Sequence, residues 1–325
     1  MSKFWRILSS VVEKADVLLM VLDARMVAES RNEEIEEKVS GLGKPLIFVI
    51  NKCDLVERAV LERWKRTLSP CVFVSATKYH GLAMLRERIL IEAKRSSTEK
   101  GMRILDKVRV GVLGYPNVGK SALINAMTGR GAAKTSPHSG FTRASKFIAK
   151  GALIFIDTPG VIPLEEQGGN RAPSPLLDWS KRDTGISTSG KLNNAVLGRS
   201  ATQKDRNEAK EKERSERATK AADTMFKHVA LGAIDYSKDP DPETTALRLI
   251  EMHPGKFEKY YGVAKGVIKS EGDERDEGED EERGDSEDVL VAIAMKHGIL
   301  KQKGKPDLKR TAVRLLKDWQ TGKVR

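Results

Sequence analysis

Cysteine is too scarce for a disulfide scaffold: the chain has two, Cys53 and Cys71, in 325 residues. That excludes the small cross-linked secreted folds and predicts a reducing compartment. Long apolar runs are missing too: nothing approaches the ~20 consecutive apolar residues of a membrane span. The opening "MSKFWRILSSVVEKADVLLMVLDA" lacks the apolar h-region and small-residue cleavage site of a signal peptide. A cytoplasmic protein with no membrane partner is expected. Acidic side chains are in deficit, 46 against 58 Lys and Arg, for a net charge of +12. The deficit is uneven. Residues 271–288 hold twelve acidic and two basic side chains, so the rest of the chain carries about +22. Such an excess suits a nucleic-acid surface, and equally a soluble cationic protein; charge alone leaves both open.

What is present is enough apolar material, 39% of residues, for a sizeable core and a length sufficient for two domains. Five apolar runs read as strands, at 16–22, 45–50, 71–74, 108–113 and 152–156. Between the first four lie stretches of helical period, such as "RNEEIEEKVSGLG" and "GLAMLRERILIEAKR". Strands that are apolar throughout and alternate with helices predict a parallel sheet covered on both faces, a three-layer α/β domain over residues 1–164. Residues 165–225 change character: a Gly-, Ser-, Asn- and Pro-rich stretch leads into the charged, stripe-free "KDRNEAKEKERSERATKAAD". This predicts a largely disordered insertion with room for a solvated helix; an RNA-contacting arm is the alternative. Residues 226–325 return to helical period around the acidic linker 271–288, giving a small α-helical domain. In its last helix Ala312, Leu315, Leu316 and Trp319 share one face, while Lys309, Arg310, Arg314 and Lys317 supply positive charge.

The chemistry-bearing motifs follow the strands. Gly114-x-x-x-x-Gly119-Lys120-Ser121 lies after a strand and opens a helix, the context a phosphate-binding loop requires. Its backbone, with Asn117, Val118, Gly119, Lys120, Ser121 and Ala122, is expected to surround the phosphates; Lys120 neutralises the β- and γ-phosphates and Ser121 binds Mg²⁺. Asp157-Thr158-Pro159-Gly160 ends a strand 43 residues further on, where Asp157 can hold the Mg²⁺ shell and the Gly160 N–H can approach a γ-phosphate. In the intervening loop "TSPHSGFTRAS", Thr142 is the candidate for the second metal hydroxyl. Base choice rests on Asn51-Lys52-Cys53-Asp54 at the end of another strand. The Asp54 carboxylate can accept from guanine N1–H and its exocyclic amine, Asn51 can contact the other edge, and the Lys52 stem can lie along the ring plane. Ser75-Ala76-Thr77 is expected to bring a backbone N–H to guanine O6.

The order is unusual, because the base motif precedes the phosphate loop by some sixty residues. A sheet held by lateral hydrogen bonds is indifferent to where the chain enters it, so joining the usual termini and cutting elsewhere preserves the site. The join would be residues 94–106. In this order and in Asp23-Ala24-Arg25, "NKCDL", "SAT", "GYPNVGKSALIN", "GFTR", "DTPGVIP", "ALRLIE" and "LLKDWQTGKV", the sequence resembles the circularly permuted GTPases of the YlqF type, which assist large-ribosomal-subunit assembly. The resemblance implies a permuted P-loop GTPase fold followed by a helical RNA-binding domain. It further implies GTP and GDP as ligands, docking on the large subunit or its rRNA, no DNA partner, and a monomer away from the ribosome. By position, Asn117 matches an asparagine that helps related enzymes bind K⁺, and Val161 stands where many GTPases place a water-orienting glutamine. Slow turnover unless stimulated follows, with Lys120, Thr142 and Gly160 as catalytic residues. Two departures stand out. The histidine of a Trp-x-Pro-Gly-His-Met-like opening in bacterial members has no counterpart before His80, and residues 165–225 are inserted. A GTP-dependent RNA-binding module with negligible turnover, or a GTPase acting on another RNA such as tRNA, are the competing readings.

Overall fold

The computed structural model describes residues 3–99, 107–129, 146–157, 203–263 and 286–324. Six described strands, β1 (Val17–Asp23), β2 (Leu46–Asn51), β3 (Cys71–Phe73), β4 (Val108–Leu113), β5 (Lys146–Lys150) and β6 (Leu153–Asp157), form one sheet. Its order is β3-β2-β1-β4-β6-β5, parallel except where β5 runs against β6. The five predicted strands are all present. The sixth, β5, was not anticipated: it is five residues long, ends in lysines, and sits at the sheet edge, where one neighbour suffices.

β1 is buried at all seven positions, because helices cover both faces of the sheet. Leu18, Met20 and Leu22 join one core with Val11 and Val12 of α1 (Lys3–Lys14), Ile35 and Val39 of α3 (Glu33–Gly41) and Leu61 of α4 (Arg58–Thr67); the single turn α2 (Val27–Ser30) follows β1 on the same side. The alternate residues Val17, Leu19 and Val21 face the other way. There α5 (Leu82–Glu99) packs on β1 and β4, and α6 (Lys120–Thr128) on β5 and β6. This is the three-layer arrangement expected.

The chain divides into two compact units, residues 2–162 with 226–325, and residue 1 with 163–225. Of the second, residues 203–225 are described. They form most of α7 (Gln203–Ala230), and the described side chains from 214 to 223 are exposed. Here the charged run is a helix; residues 165–202, the rest of the expected insertion, lie outside the described residues.

In the first unit four more helices follow: α8 (Pro242–Met252), α9 (Lys256–Tyr261), α10 (Ser286–Lys296) and α11 (Leu308–Gln320). Asp241 caps α8 through the Thr244 N–H, with Pro242 at its first position, and Asp307 caps α11 through the Arg310 N–H. The anticipated stripe of α11 is fully buried against α8 and α10: Ala312, Leu315, Leu316 and Trp319 are each 0% exposed. Lys309, Arg310, Arg314 and Lys317 point to solvent. The acidic stretch lies outside the described residues up to 285.

Candidate nucleotide-binding site

The sheet order runs outward from the β1–β4 pair in both directions, so the loops leaving those two strands diverge and open a crevice at the carboxyl edge. Every described motif sits on that edge. After β4 the chain turns at Gly114, where φ is +138° and a Cβ would lie 2.4 Å from the Val21 carbonyl oxygen. The loop ends at Gly119 and α6 begins at Lys120, so that unpaired N–H groups of the helix start face the loop interior. Lys120 is buried, and its ammonium donates to the Gly114 and Tyr115 carbonyls at 2.8 and 2.6 Å. Burial pushes it down to about 8, Asp157 opposing the shift. A buried cation whose hydrogen bonds go to loop carbonyls among the described residues is suited to receive an anion. Ser121 and Ala122 follow on the first turn of α6, and Val118 is fully buried.

Asn51 ties the two motifs that the sequence separates. Its Nδ2 donates to the Val118 carbonyl at 2.8 Å, and its Oδ1 accepts the Ala76 N–H at 3.1 Å. Asn51 thus bridges the phosphate loop and the Ser75–Thr77 loop, a role that sequence reasoning missed, and it holds the Ala76 N–H. Ser75, fully buried, shapes the same turn by accepting from the Lys78 N–H. Lys52 adopts the left-handed conformation, φ +62°, and starts the short 3₁₀ turn Cys53–Leu55 that carries Asp54. Asp54 Oδ1 is buried without a hydrogen-bond partner among the described residues. A buried carboxylate oxygen without a donor is costly, and guanine's N1–H and amine would satisfy it.

The Lys52 ammonium is anchored on Asp23 at 2.7 Å. Asp23 ends β1 beside Asn51 in register, is 0% exposed, and also accepts from the Arg25 N–H, Nε and a terminal nitrogen at 3.0, 3.0 and 2.8 Å. Burial alone would raise its pKa, but Arg25 and Lys52 outweigh burial and hold the carboxyl far below the usual carboxylate range. Lys52 is drawn below its ordinary value by burial, against the pull of Asp23. Sequence reasoning noted Asp23 and Arg25 only as part of a resemblance. A signal was available: a charged pair ending a wholly apolar strand needs a partner.

Asp157 closes β6 at the same edge, 1% exposed and close enough to act on Lys120. Asp157 and Ser121 offer one carboxylate and one hydroxyl, and no cluster of three or more metal-ligating side chains occurs among the described residues. That donor set fits Mg²⁺, which takes most of its ligands from water and phosphate. Thr142, Gly160 and Val161 lie outside the described residues. Asn117, φ +59°, donates from Nδ2 to the Gly232 carbonyl just beyond α7, so its amide is engaged with the helical region. Its side chain leaves at most one oxygen for K⁺.

Comparison with known proteins agrees with this geometry. The family model described as 50S ribosome-binding GTPase matches residues 109–230, starting at the phosphate-loop strand and leaving the base motif upstream. The structure of GNP-bound YlqF from T. maritima superposes with a TM-score of 0.50 at 15% identity, covering 99% of this chain and 95% of that one. The chain has the fold of that YlqF GTPase. Among curated relatives, a GTP-binding protein of Methanocaldococcus jannaschii is 40% identical over 164 residues, 50% of this chain and 42% of that protein. Nuclear/nucleolar GTPase 2 of Oryza sativa is 27% identical over 330 residues, 99% of this chain and 47% of that protein. The chain thus spans less than half the length of these two relatives.

Proposed function

We propose that this protein is a circularly permuted GTPase of the YlqF type that binds GTP and GDP with Mg²⁺, hydrolyses GTP slowly unless stimulated, and docks on large-subunit particles to assist their assembly. The observation that carries the nucleotide part is the Asn51 bridge. One side chain holds the phosphate loop and the base motif in register although they lie in reversed chain order. Lys120 and the first turn of α6 receive the phosphates, while the unsatisfied Asp54 oxygen selects guanine. Ser121 and Asp157, with Thr142 as the proposed third ligand, would hold Mg²⁺, which would supply charge neutralisation at the β- and γ-phosphates. Gly160 completes the proposed site by its N–H. Asp54→Asn is expected to weaken GDP and favour the xanthine nucleotide, whose C2 carbonyl accepts from the new amide; competition binding with GDP and XDP reads this out. An unchanged preference would refute the base assignment.

The ribosomal part is supported by the nucleolar relatives and by exposed cations along the last helix, Lys309, Arg310, Arg314 and Lys317. RNA association through them should fall steeply with salt. Co-sedimentation with large subunits in GTP-analogue, GDP and apo states tests the docking; insensitivity to nucleotide counts against a switch. Single-turnover hydrolysis with and without particles separates a stimulated GTPase from an RNA-binding module of negligible turnover, the reading that Val161 favours. A K⁺ contribution through Asn117 is tested by comparing rates in K⁺ and Na⁺. We place the protein in the cytoplasm, monomeric off the particle.

A further inference from the structure

The Asp23 carboxylate is filled by Arg25 and Lys52, and one Arg25 nitrogen remains. That nitrogen donates to the backbone carbonyl of Trp319, 294 residues away, and the guanidinium lies 4.5 Å from the Trp319 ring centroid. Trp319 is itself fixed. Its Nε1 donates to the Ala230 carbonyl at 2.9 Å, and His253 and Phe257 pack on its ring at 4.7 and 5.7 Å between centroids. A second thread runs from the same helices to the base motif: Lys256 reaches the Leu55 carbonyl at 3.5 Å. Lys52, at the other end of the chain of contacts, holds a left-handed backbone that only a minority of non-glycine residues adopt, and it does so at the residue that starts the Asp54 turn.

We propose that Trp319 is a positioning residue for guanine recognition: through Arg25 and Asp23 it fixes Lys52 and thereby the turn that presents Asp54. The base specificity of the nucleotide site is then set in part by the last helix of the chain. This rests on the guanine-nucleotide reading above. The argument is one of geometry and satisfied valence. Arg25 is 7% exposed and spans the gap between Asp23 and Trp319 with a planar fork that matches carboxylate on one side and ring face on the other. Removing the ring takes away the face on which the fork stacks and leaves the Trp319 carbonyl and Asp23 to hold it, so the Asp23 oxygens lose part of the geometry that seats Lys52.

The test compares equilibrium binding of GDP and IDP to the full chain and to the variants Trp319→Leu and Arg25→Lys. Hypoxanthine lacks the exocyclic amine, so it draws on only part of what Asp54 offers. Both variants should lose about tenfold on GDP and about threefold or less on IDP, so that the GDP/IDP preference shrinks. A preference equal to wild type in both overturns the proposal. Leu316→Ala, in the same buried stripe but outside the Arg25 contact, loosens α11 and should keep the wild-type preference. If it shrinks the preference as much, the helices act only through general stability, which also overturns the proposal. A wild-type chain that does not favour GDP over IDP fails earlier, at the nucleotide reading itself.

Discussion

At the scale of single residues, the site is held by close approaches that tolerate no added atom. A Cβ on Gly119 would lie 2.2 Å from Asn51 Nδ2, and the φ of +99° there is strained for any other residue. Gly119→Ala should therefore strike base and phosphate recognition together, lowering GDP affinity about a hundredfold or more by displacing the Asn51 bridge. In an Asn51→Ala background the same change should cost much less, because the clash partner is gone; a double-mutant cycle on GDP affinity measures this. Lys120 gives a pH signature. In the free protein it titrates near 8, and phosphate would raise that value. Binding should thus take up a proton at pH 8.5, and GDP affinity should fall as pH rises past 8; calorimetry in buffers of different ionisation enthalpy detects it. His253 acts on stability. Burial, Lys256 and Arg25 hold it down to about 4, against 6.5 when unfolded. Between pH 6.5 and 4 the unfolded chain takes up the proton that the folded one refuses, so stability drops as pH falls through that window. Uptake of a single proton limits this contribution to a slope of at most ~1.4 kcal/mol per pH unit. Chemical denaturation across that range should show the drop, flattened in His253→Phe.

Among elements, those that bury a continuous apolar stripe were legible and those defined by partners were not. β1, β2 and β4 announce themselves because both their faces are covered, and α11 because its four apolar residues recur at helical spacing. "KFIAK" has no such redundancy: only Ile148 of β5 is known to be buried, Phe147 is 58% exposed, and the strand exists because β6 offers it an edge. In the site, the motif residues were readable because their chemistry is local. The Asn51 bridge, the Ala76 donor and the Arg25–Trp319 contact were not, since each joins positions 25 to 294 residues apart. α11 also allows a clean separation of stability from recognition. Asp307 caps it at a half-buried position, at the opposite end of the helix from Trp319, so Asp307→Ala should cost about 1 kcal/mol and lower the Tm with the GDP/IDP preference intact.

For the molecule as a whole, the helical region reaches the nucleotide site directly. The contacts are Arg25–Trp319 and Lys256–Leu55 beside the base motif, and Asn117–Gly232 and Lys227–Tyr115 at the phosphate loop. Coupling between the base and α11 is reciprocal by thermodynamic necessity. GDP, which carries the same base as GTP, should therefore slow amide exchange in residues 308–320 as much as a GTP analogue does. Hydrogen exchange with each nucleotide checks this, and protection by the analogue alone would place the signal at the γ-phosphate.

The sheet order has a consequence for synthesis. β1, a central strand, can pair with β2 as soon as residue 51 has emerged, but its other neighbour, β4, begins about ninety residues after β1 does. At ~5–20 residues per second, the apolar edge of β1 waits roughly 5–18 s for its partner. An order beginning at the phosphate loop would instead make β4 first and leave that strand waiting. The permuted nascent chain thus exposes its base-recognition half, edge open, to chaperones before any phosphate loop exists to close it.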